Sequence, residues 1–195
     1  MLKVTAIGGE PAVGKSYIMK KIIEKQKIDK PFTFDMYKLI KGVSNDEELV
    51  LGVYGNEQDI FPGTDKLSMA VQPEVSQFLR LSSLNTLNHD FKHIMFEGDR
   101  LFKGSLFDDI KSMTDFRLII IKCDDELKEQ RHKQRKDEQN ESWLASRKTA
   151  VNNIIGSHRH FIKYNNSEKD SDDIVNFILS GSREGIIEPS QTTLF

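Results

Sequence analysis

The sequence predicts an α/β fold in three layers, a mostly parallel sheet covered by helices on both faces. Two observations carry it. Short apolar runs of strand length alternate with polar or amphipathic stretches of helical length along most of the chain. The first of these runs is joined to the first helix by Gly-Glu-Pro-Ala-Val-Gly-Lys-Ser, residues 9–16, which fits the pattern G-x-x-x-x-G-K-[ST]. Gly9, Gly14, Lys15 and Ser16 hold its fixed positions. In such a loop the backbone N–H groups wrap a triphosphate, the lysine reaches the β- and γ-phosphates, and the hydroxyl ligates Mg²⁺. The helix that follows turns its N-terminus to the anion. Gly9, Val13, Gly14, Lys15, Ser16 and Tyr17 are therefore the expected contacts of a nucleoside triphosphate and its Mg²⁺.

In chain order, residues 2–8 form a buried strand around the run from Val4 to Ile7, and 16–27 the helix after the loop. Residues 32–40 alternate apolar and polar, and 48–54 are a second β-prone run, with 42–47 separating them as in a hairpin or an extension of the sheet edge. Residues 60–72 have the Pro-Gly and Gly-Thr-Asp character of an ordered loop. Pro73 suits the first turn of a helix reaching about residue 88. Residues 93–96 form a buried strand that ends in Glu97-Gly98-Asp99-Arg100. Another strand covers 116–123, followed by a very polar helix over 125–139 and a further helix over 143–155. The last strand is predicted at 160–164 and the last helix at 172–179. This gives one domain over residues 1–180, with a lid at about 125–148, and a flexible tail over 181–195. No internal repeat or low-complexity segment is present.

Composition narrows the partners. Positive and negative side chains nearly balance, with a formal charge of −2, so no global field draws the chain toward nucleic acid or an anionic membrane. Cys123 is the single cysteine and closes an apolar run, which fits a small core or strand-end residue. No apolar stretch approaches membrane-spanning length, and the N-terminus enters a strand with no room for a signal peptide. A soluble, cytoplasmic protein is expected. The histidines lack the spacing of a zinc site.

A phosphate-binding loop needs a partner carboxylate near its Mg²⁺, usually at the tip of a neighbouring strand. Ile-Met-Phe-Glu-Gly-Asp-Arg, residues 94–100, is the run of apolar residues that ends a predicted strand on an acid. Glu97 is a candidate general base or an indirect Mg²⁺ ligand, Asp99 a candidate for holding the acceptor, and Arg100 a candidate for taking up phosphate charge. A solvated turn with a surface ion pair is the alternative. Residues 128–136, Lys-Glu-Gln-Arg-His-Lys-Gln-Arg-Lys, are dense in positive charge, and Arg131 and Arg135 share one helix face. They read as a basic cap over the phosphates, closed further by Arg147 and Lys148, or as a solvated face.

A loop of this kind near the N-terminus, an acid-Gly-Asp-Arg turn after a middle strand, and an Arg-rich helix two-thirds along together resemble the nucleotide-kinase branch of P-loop proteins. That branch includes nucleoside, nucleoside monophosphate and polynucleotide kinases. The resemblance implies a parallel sheet with a lid and transfer of the ATP γ-phosphate to a small acceptor. It assigns Lys15 and Ser16 to ATP and Mg²⁺, Glu97 or Asp99 to the acceptor, and Arg131 and Arg135 to the lid. Thymidylate kinases carry an aromatic residue after their Asp-Arg pair, whereas Leu101 follows Arg100 here and Phe102 comes next.

The stretch LGVYGNEQDIFPGTDKLSMAVQP, with FEGDRLF downstream, resembles more closely the bacteriophage kinases that phosphorylate 5-hydroxymethyluracil within DNA. That likeness implies an acceptor side built from Tyr54, Thr64, Asp65 and Lys66, and a bacterial host cytoplasm as the setting. Thr64 or Asp65 capping a turn is the structural alternative. A kinase of free nucleosides or nucleoside monophosphates and a non-catalytic NTP-binding partner of replication also remain open.

The chain ends QTTLF. Gln191, Leu194 and Phe195 match the short pattern by which bacterial and phage DNA-processing proteins bind a sliding clamp, with apolar anchors in a pocket and the glutamine hydrogen-bonded beside them. Chance, or folding of Leu194 and Phe195 back onto the domain, is the alternative.

Overall fold

The computed structural model describes residues 1–54, 63–135 and 140–189 of the chain. Five parallel strands form the body of one sheet: β1 (Lys3–Gly8), β4 (Glu48–Leu51), β5 (His93–Glu97), β6 (Asp115–Lys122) and β7 (Phe161–Tyr164). Two more, β2 (Lys30–Thr33) and β3 (Lys41–Ser44), extend one edge in antiparallel fashion. The order across the sheet is β2-β3-β4-β5-β1-β6-β7. β1 is central, between β5 and β6, and the chain leaves its carboxyl end where the winding direction of the sheet reverses. Ligands of open α/β sheets bind at that point.

Alternation along the central strands sorts their side chains to two faces. Val4 and Ala6 of β1, Ile94 and Phe96 of β5, and Leu118 and Ile120 of β6 join one core. This core is covered by α2 (Val71–Ser83), α3 (Gly104–Ile110) and α5 (Glu141–Ser157). Ile7, Met95, Ile119 and Ile121 face the other way, against α1 (Lys15–Gln26) and α6 (Glu168–Ser180). The architecture is the three-layer α/β/α sandwich with a mostly parallel sheet that the sequence predicts. The remaining helix, α4 (Asp125–Arg135), follows β6 at the sheet's carboxyl end.

Several elements differ from the sequence reading. Residues 34–40 are not strand: Tyr37 N–H donates to Phe34 O and Ile40 N–H to Tyr37 O, each at 3.0 Å, giving two successive turns that bury Tyr37 and Ile40. The apolar spacing there serves packing, not a pleat. The edge hairpin instead pairs β3 with β4, and its turn is made by Asn45, whose Oδ1 accepts from the N–H groups of Glu47 at 2.9 Å and Glu48 at 2.7 Å. The helix expected to reach residue 88 stops at Ser83, with Asn85 in the left-handed region at φ 53°. Helix α3 was not foreseen, because seven residues beginning Gly-Ser and holding two aspartates resemble a turn; its burial of Leu106, Phe107 and Ile110 makes it helical. Residues 181–189, read as the start of a tail, lie against the sheet, where His160 and Ile187 exchange backbone hydrogen bonds of 3.0 and 2.8 Å. Among the described residues no helix is long and apolar enough to cross a membrane.

Candidate active site

The loop from Gly9 to Lys15 takes its shape from three residues at positive φ: Gly9 at 139°, Ala12 at 63° and Gly14 at 93°. A Cβ on Gly9 would collide with the Ile121 carbonyl of β6, and one on Gly14 with Nδ2 of Asn165, so both fixed glycines meet a packing demand as well as a dihedral one. Asn165 follows β7 and is fully buried. Its Nδ2 donates to Val13 O at 2.9 Å, and its Oδ1 accepts from Ser171 Oγ at 2.6 Å. Asn165 thus braces the outer rim of the loop. Lys15 folds over the loop and donates from Nζ to Gly9 O at 3.0 Å and Glu10 O at 2.8 Å. Those carbonyls hold the ammonium group within the concavity.

Glu97 ends β5 beside the loop, in register with Ile7 of β1. It is 3 % exposed, and Ser16 Oγ donates to its Oε1 at 3.2 Å. Burial raises its pKa to about 7; the Lys15 charge and the Ser16 hydrogen bond pull against that rise, while Asp65 and Asp99 add to it. The residues paired by the sequence as Mg²⁺ contacts thus touch each other. An oxygen-only pair of hydroxyl and carboxylate suits a hard divalent cation that keeps several waters and phosphate oxygens as its other ligands.

A second segment closes over the strand end. Val53 N–H donates to Gly63 O at 2.8 Å, and residues Thr64–Lys66 make a 3₁₀ turn laid against the Glu97–Arg100 corner. Thr64 Oγ1 donates to Glu97 O at 2.8 Å, and Asp99 N–H donates to Asp65 Oδ1 at 2.9 Å. Asp65 is raised above the usual carboxylate range by desolvation and by the Asp99 charge. Arg100, expected to take up phosphate charge, instead donates to the carbonyls of Leu67 at 3.2 Å and Asp65 at 3.5 Å and so clamps this turn. Tyr54 lies close enough that burial, Glu97 and Asp65 all push its hydroxyl well above the ordinary range. Thr64 is buried, whereas Lys66 is exposed.

Two glycines permit this close approach. Gly98, at φ 104°, would place a Cβ 2.7 Å from Thr64 Oγ1. Gly63, at φ 55°, would drive one into Glu97 Oε1. Gly63→Ala combines backbone strain with a clash against a buried carboxylate. It is expected to lower stability by about 2–4 kcal/mol in urea denaturation; a loss below about 0.5 kcal/mol, the level of an ordinary surface change, would show that the turn does not pack on Glu97.

The basic helices reach the site from the other side. Lys128 of α4 donates to Glu10 Oε2 at 3.0 Å. Arg131 donates to Ala12 O at 3.4 Å and to Asn165 O at 3.2 Å, which brings it to the rim of the loop. Arg147 of α5 pairs with Asp99 Oδ2 at 3.0 Å and lies over the Trp143 ring. Lys148 lines a cavity of about 220 Å³ between the loop and α5. Tyr17, expected at the nucleotide, donates to the Glu168 carboxylate at 2.8 and 2.9 Å on the outer side of α1. The side chain of Arg135 and the residues Gln191, Leu194 and Phe195 lie outside the described residues. The Glu10–Lys128 pair and the Asn165–Val13 brace escaped sequence reasoning, because each joins residues far apart in the chain with no motif between them.

No family model matches the chain, and no curated protein matches it. Solved structures similar to it include a gluconokinase from Sinorhizobium meliloti 1021, at 13 % identity over 92 % of this chain and 90 % of that one, with a TM-score of 0.49. An uncharacterized protein from Eubacterium ventriosum ATCC 27560 is similar at 15 % identity, over 92 % of this chain and 99 % of that one, with a TM-score of 0.45. Both scores lie below 0.5, and the α/β fold stands on the strand order and on the loop between β1 and α1.

Proposed function

We propose that the chain is an ATP- and Mg²⁺-dependent kinase that transfers the γ-phosphate to a hydroxyl group. One observation carries the reading: a buried carboxylate, Glu97, with its pKa raised to about 7, hydrogen-bonded to the serine of the phosphate-binding loop. A general base works best when its pKa lies near the working pH. Ser16 would hold Mg²⁺ together with waters and phosphate oxygens, and the ion would neutralise charge on the β- and γ-phosphates. Lys15 turns from the Gly9 and Glu10 carbonyls to the phosphates. Glu97 accepts the proton of the acceptor hydroxyl as that oxygen attacks phosphorus, and Asp99, held by Arg147, orients the acceptor with Asp65. Arg131 stands at the rim of the loop, placed to stabilise charge on the phosphates.

The acceptor side favours a hydroxyl on an uncharged group over a nucleoside monophosphate. Of the expected acceptor residues only Lys66 is cationic, and it is exposed, while residues 42–65 contain no Lys or Arg. Arg100 is committed to backbone carbonyls and Arg147 to Asp99. A phosphate acceptor calls for arginine forks directed at it. The hydroxymethyl group of 5-hydroxymethyluracil in DNA fits this environment once the base is flipped out or presented single-stranded. It also agrees with the sequence resemblance at residues 51–73 and 96–102. Tethering by Gln191, Leu194 and Phe195 to a sliding clamp would raise the local DNA concentration for a chain whose net charge is −2.

The test is incubation with γ-labelled ATP and four acceptors: an oligonucleotide containing 5-hydroxymethyluracil, the free nucleoside, a set of nucleoside monophosphates, and gluconate. Label is expected in the oligonucleotide. Label in nucleoside diphosphates alone would overturn the acceptor assignment, and ATP binding without transfer to any acceptor would favour a non-catalytic NTP-binding protein.

A further inference from the structure

Helix α5 descends from the carboxyl end of the sheet toward the start of β7, and one stripe of it faces the protein. Val151 and Ile154 of that stripe are buried in the core. Arg147, one turn earlier, reaches past the end of β5 to Asp99 Oδ2 at 3.0 Å. Trp143, a further turn earlier, continues the same face. At about 1.5 Å of rise per residue it stands roughly 6 Å further out than Arg147, beyond the strand ends and beside the Glu97–Arg100 corner.

Trp143 is the single tryptophan of the chain and is 38 % exposed. Its backbone is fixed by the helix cap: Asn140 Oδ1 accepts from Trp143 N–H at 2.8 Å. Its ring is fixed by Arg147, whose guanidinium carbon lies 5.8 Å from the ring centroid. One guanidinium therefore stands between the indole and the Asp99 carboxylate. A cation–π contact between residues four apart can steady an exposed ring on any helix surface. Here, however, the cation is the one bound to the carboxylate of the acceptor side, and more than a third of the ring remains open. A large aromatic face left uncovered at the mouth of a site is suited to bind a flat partner.

We propose that Trp143 is the stacking surface for the acceptor, and that the acceptor is accordingly a nucleobase carrying the reacting hydroxyl. The inference rests on the kinase reading above and narrows its acceptor. Stacking on an aromatic side chain holds a base by its π-face, whichever base it is. Trp143 thus supplies affinity for the ring, while Asp99 and Asp65 meet the polar edge. Because Arg147 holds both the indole and Asp99, one side chain sets the base and its hydroxyl relative to each other. A stacked base needs no cation from the Glu97–Arg100 corner, where Arg100 is bound to carbonyls. A polyhydroxy acid such as gluconate has no flat face to offer.

The test reads the fluorescence of Trp143 itself in the full chain, with a non-hydrolysable ATP analogue and Mg²⁺ in excess. The probes are an oligonucleotide containing 5-hydroxymethyluracil, the free nucleoside 5-hydroxymethyl-2′-deoxyuridine, and gluconate. Saturable quenching is expected from a base-bearing probe and none from gluconate. Quenching by the nucleoside alone would take the acceptor out of DNA and still support stacking. Unchanged fluorescence with both base-bearing probes, or equal quenching by gluconate, would overturn the proposal. In steady-state kinetics Trp143→Leu should raise KM for the acceptor by about tenfold or more with kcat within a few-fold, and Trp143→Phe should restore most of the loss. A fall in kcat at unchanged KM would make the ring a brace for Arg147 and overturn stacking while the kinase reading stands. Base-dependent quenching without phosphate transfer to any acceptor would support stacking while the kinase reading falls.

Discussion

Glu97→Gln is expected to lower kcat by about 10³-fold while leaving ATP affinity within a few-fold of the parent chain. The amide keeps the shape of the side chain and can still accept from Ser16 Oγ, but it cannot take a proton. In the parent chain kcat/KM should rise with pH through about 7, as Glu97 loses its proton, and that limb should vanish in the variant. Stability should move the other way. A carboxyl whose folded pKa of about 7 exceeds its ordinary 4.5 favours folding with a proton bound. Folding is therefore unpenalised below the ordinary pKa and loses stability as the pH rises toward 7, by about 3 kcal/mol in full. The amide has no such penalty, so Glu97→Gln should melt at a higher temperature than the parent at pH 8 and at a similar one at pH 4. Thermal melts at the two pH values, beside steady-state kinetics, check both halves. Retained turnover, or a melting difference independent of pH, would remove Glu97 from the role of base.

That opposition explains why a sheet otherwise filled with Ile, Leu and Phe ends one central strand on a buried acid. The sequence makes the position visible because Ile94–Phe96 is unmistakably a buried strand, and a carboxylate directly after such a run has few structural uses. The loop at residues 9–16 is legible for a related reason: its glycines answer to backbone geometry, which a short pattern encodes. What the sequence conceals is pairing at a distance. Arg100 reads as a phosphate ligand because an arginine after an acidic turn has that chemistry, yet the 3₁₀ turn at Thr64–Lys66 offers carbonyls that claim it. Tyr17 reads as a nucleotide contact from its place beside Ser16, but the rotation of α1 carries it to Glu168. The fold follows the same division. The central strands are readable from continuous apolar runs, whereas β3 is hidden by Gly42 and Ser44, and its strand character comes from neighbours on both sides, β2 and β4.

Lys15→Met should weaken ATP binding by about 100-fold or more, the cost of removing a charge-assisted contact to phosphate in a partly buried site. The change acts a second time on Glu97. The Lys15 charge is the largest influence holding that carboxyl down against burial. Without it the Glu97 pKa should climb further above 7, leaving the base protonated at neutral pH even when saturating ATP forces the nucleotide on. The variant should therefore stay inactive at saturating nucleotide near pH 7 and recover part of its turnover at higher pH, whereas a defect in binding alone would be cured by ATP at any pH. Lys15→Arg should restore little, since the concavity that seats one ammonium between the Gly9 and Glu10 carbonyls, at 3.0 and 2.8 Å, is matched to a compact point charge rather than to a planar fork. Fluorescent nucleotide titration and pH-dependent turnover of the two variants separate these effects. Unchanged ATP affinity in Lys15→Met would refute nucleotide binding by this loop.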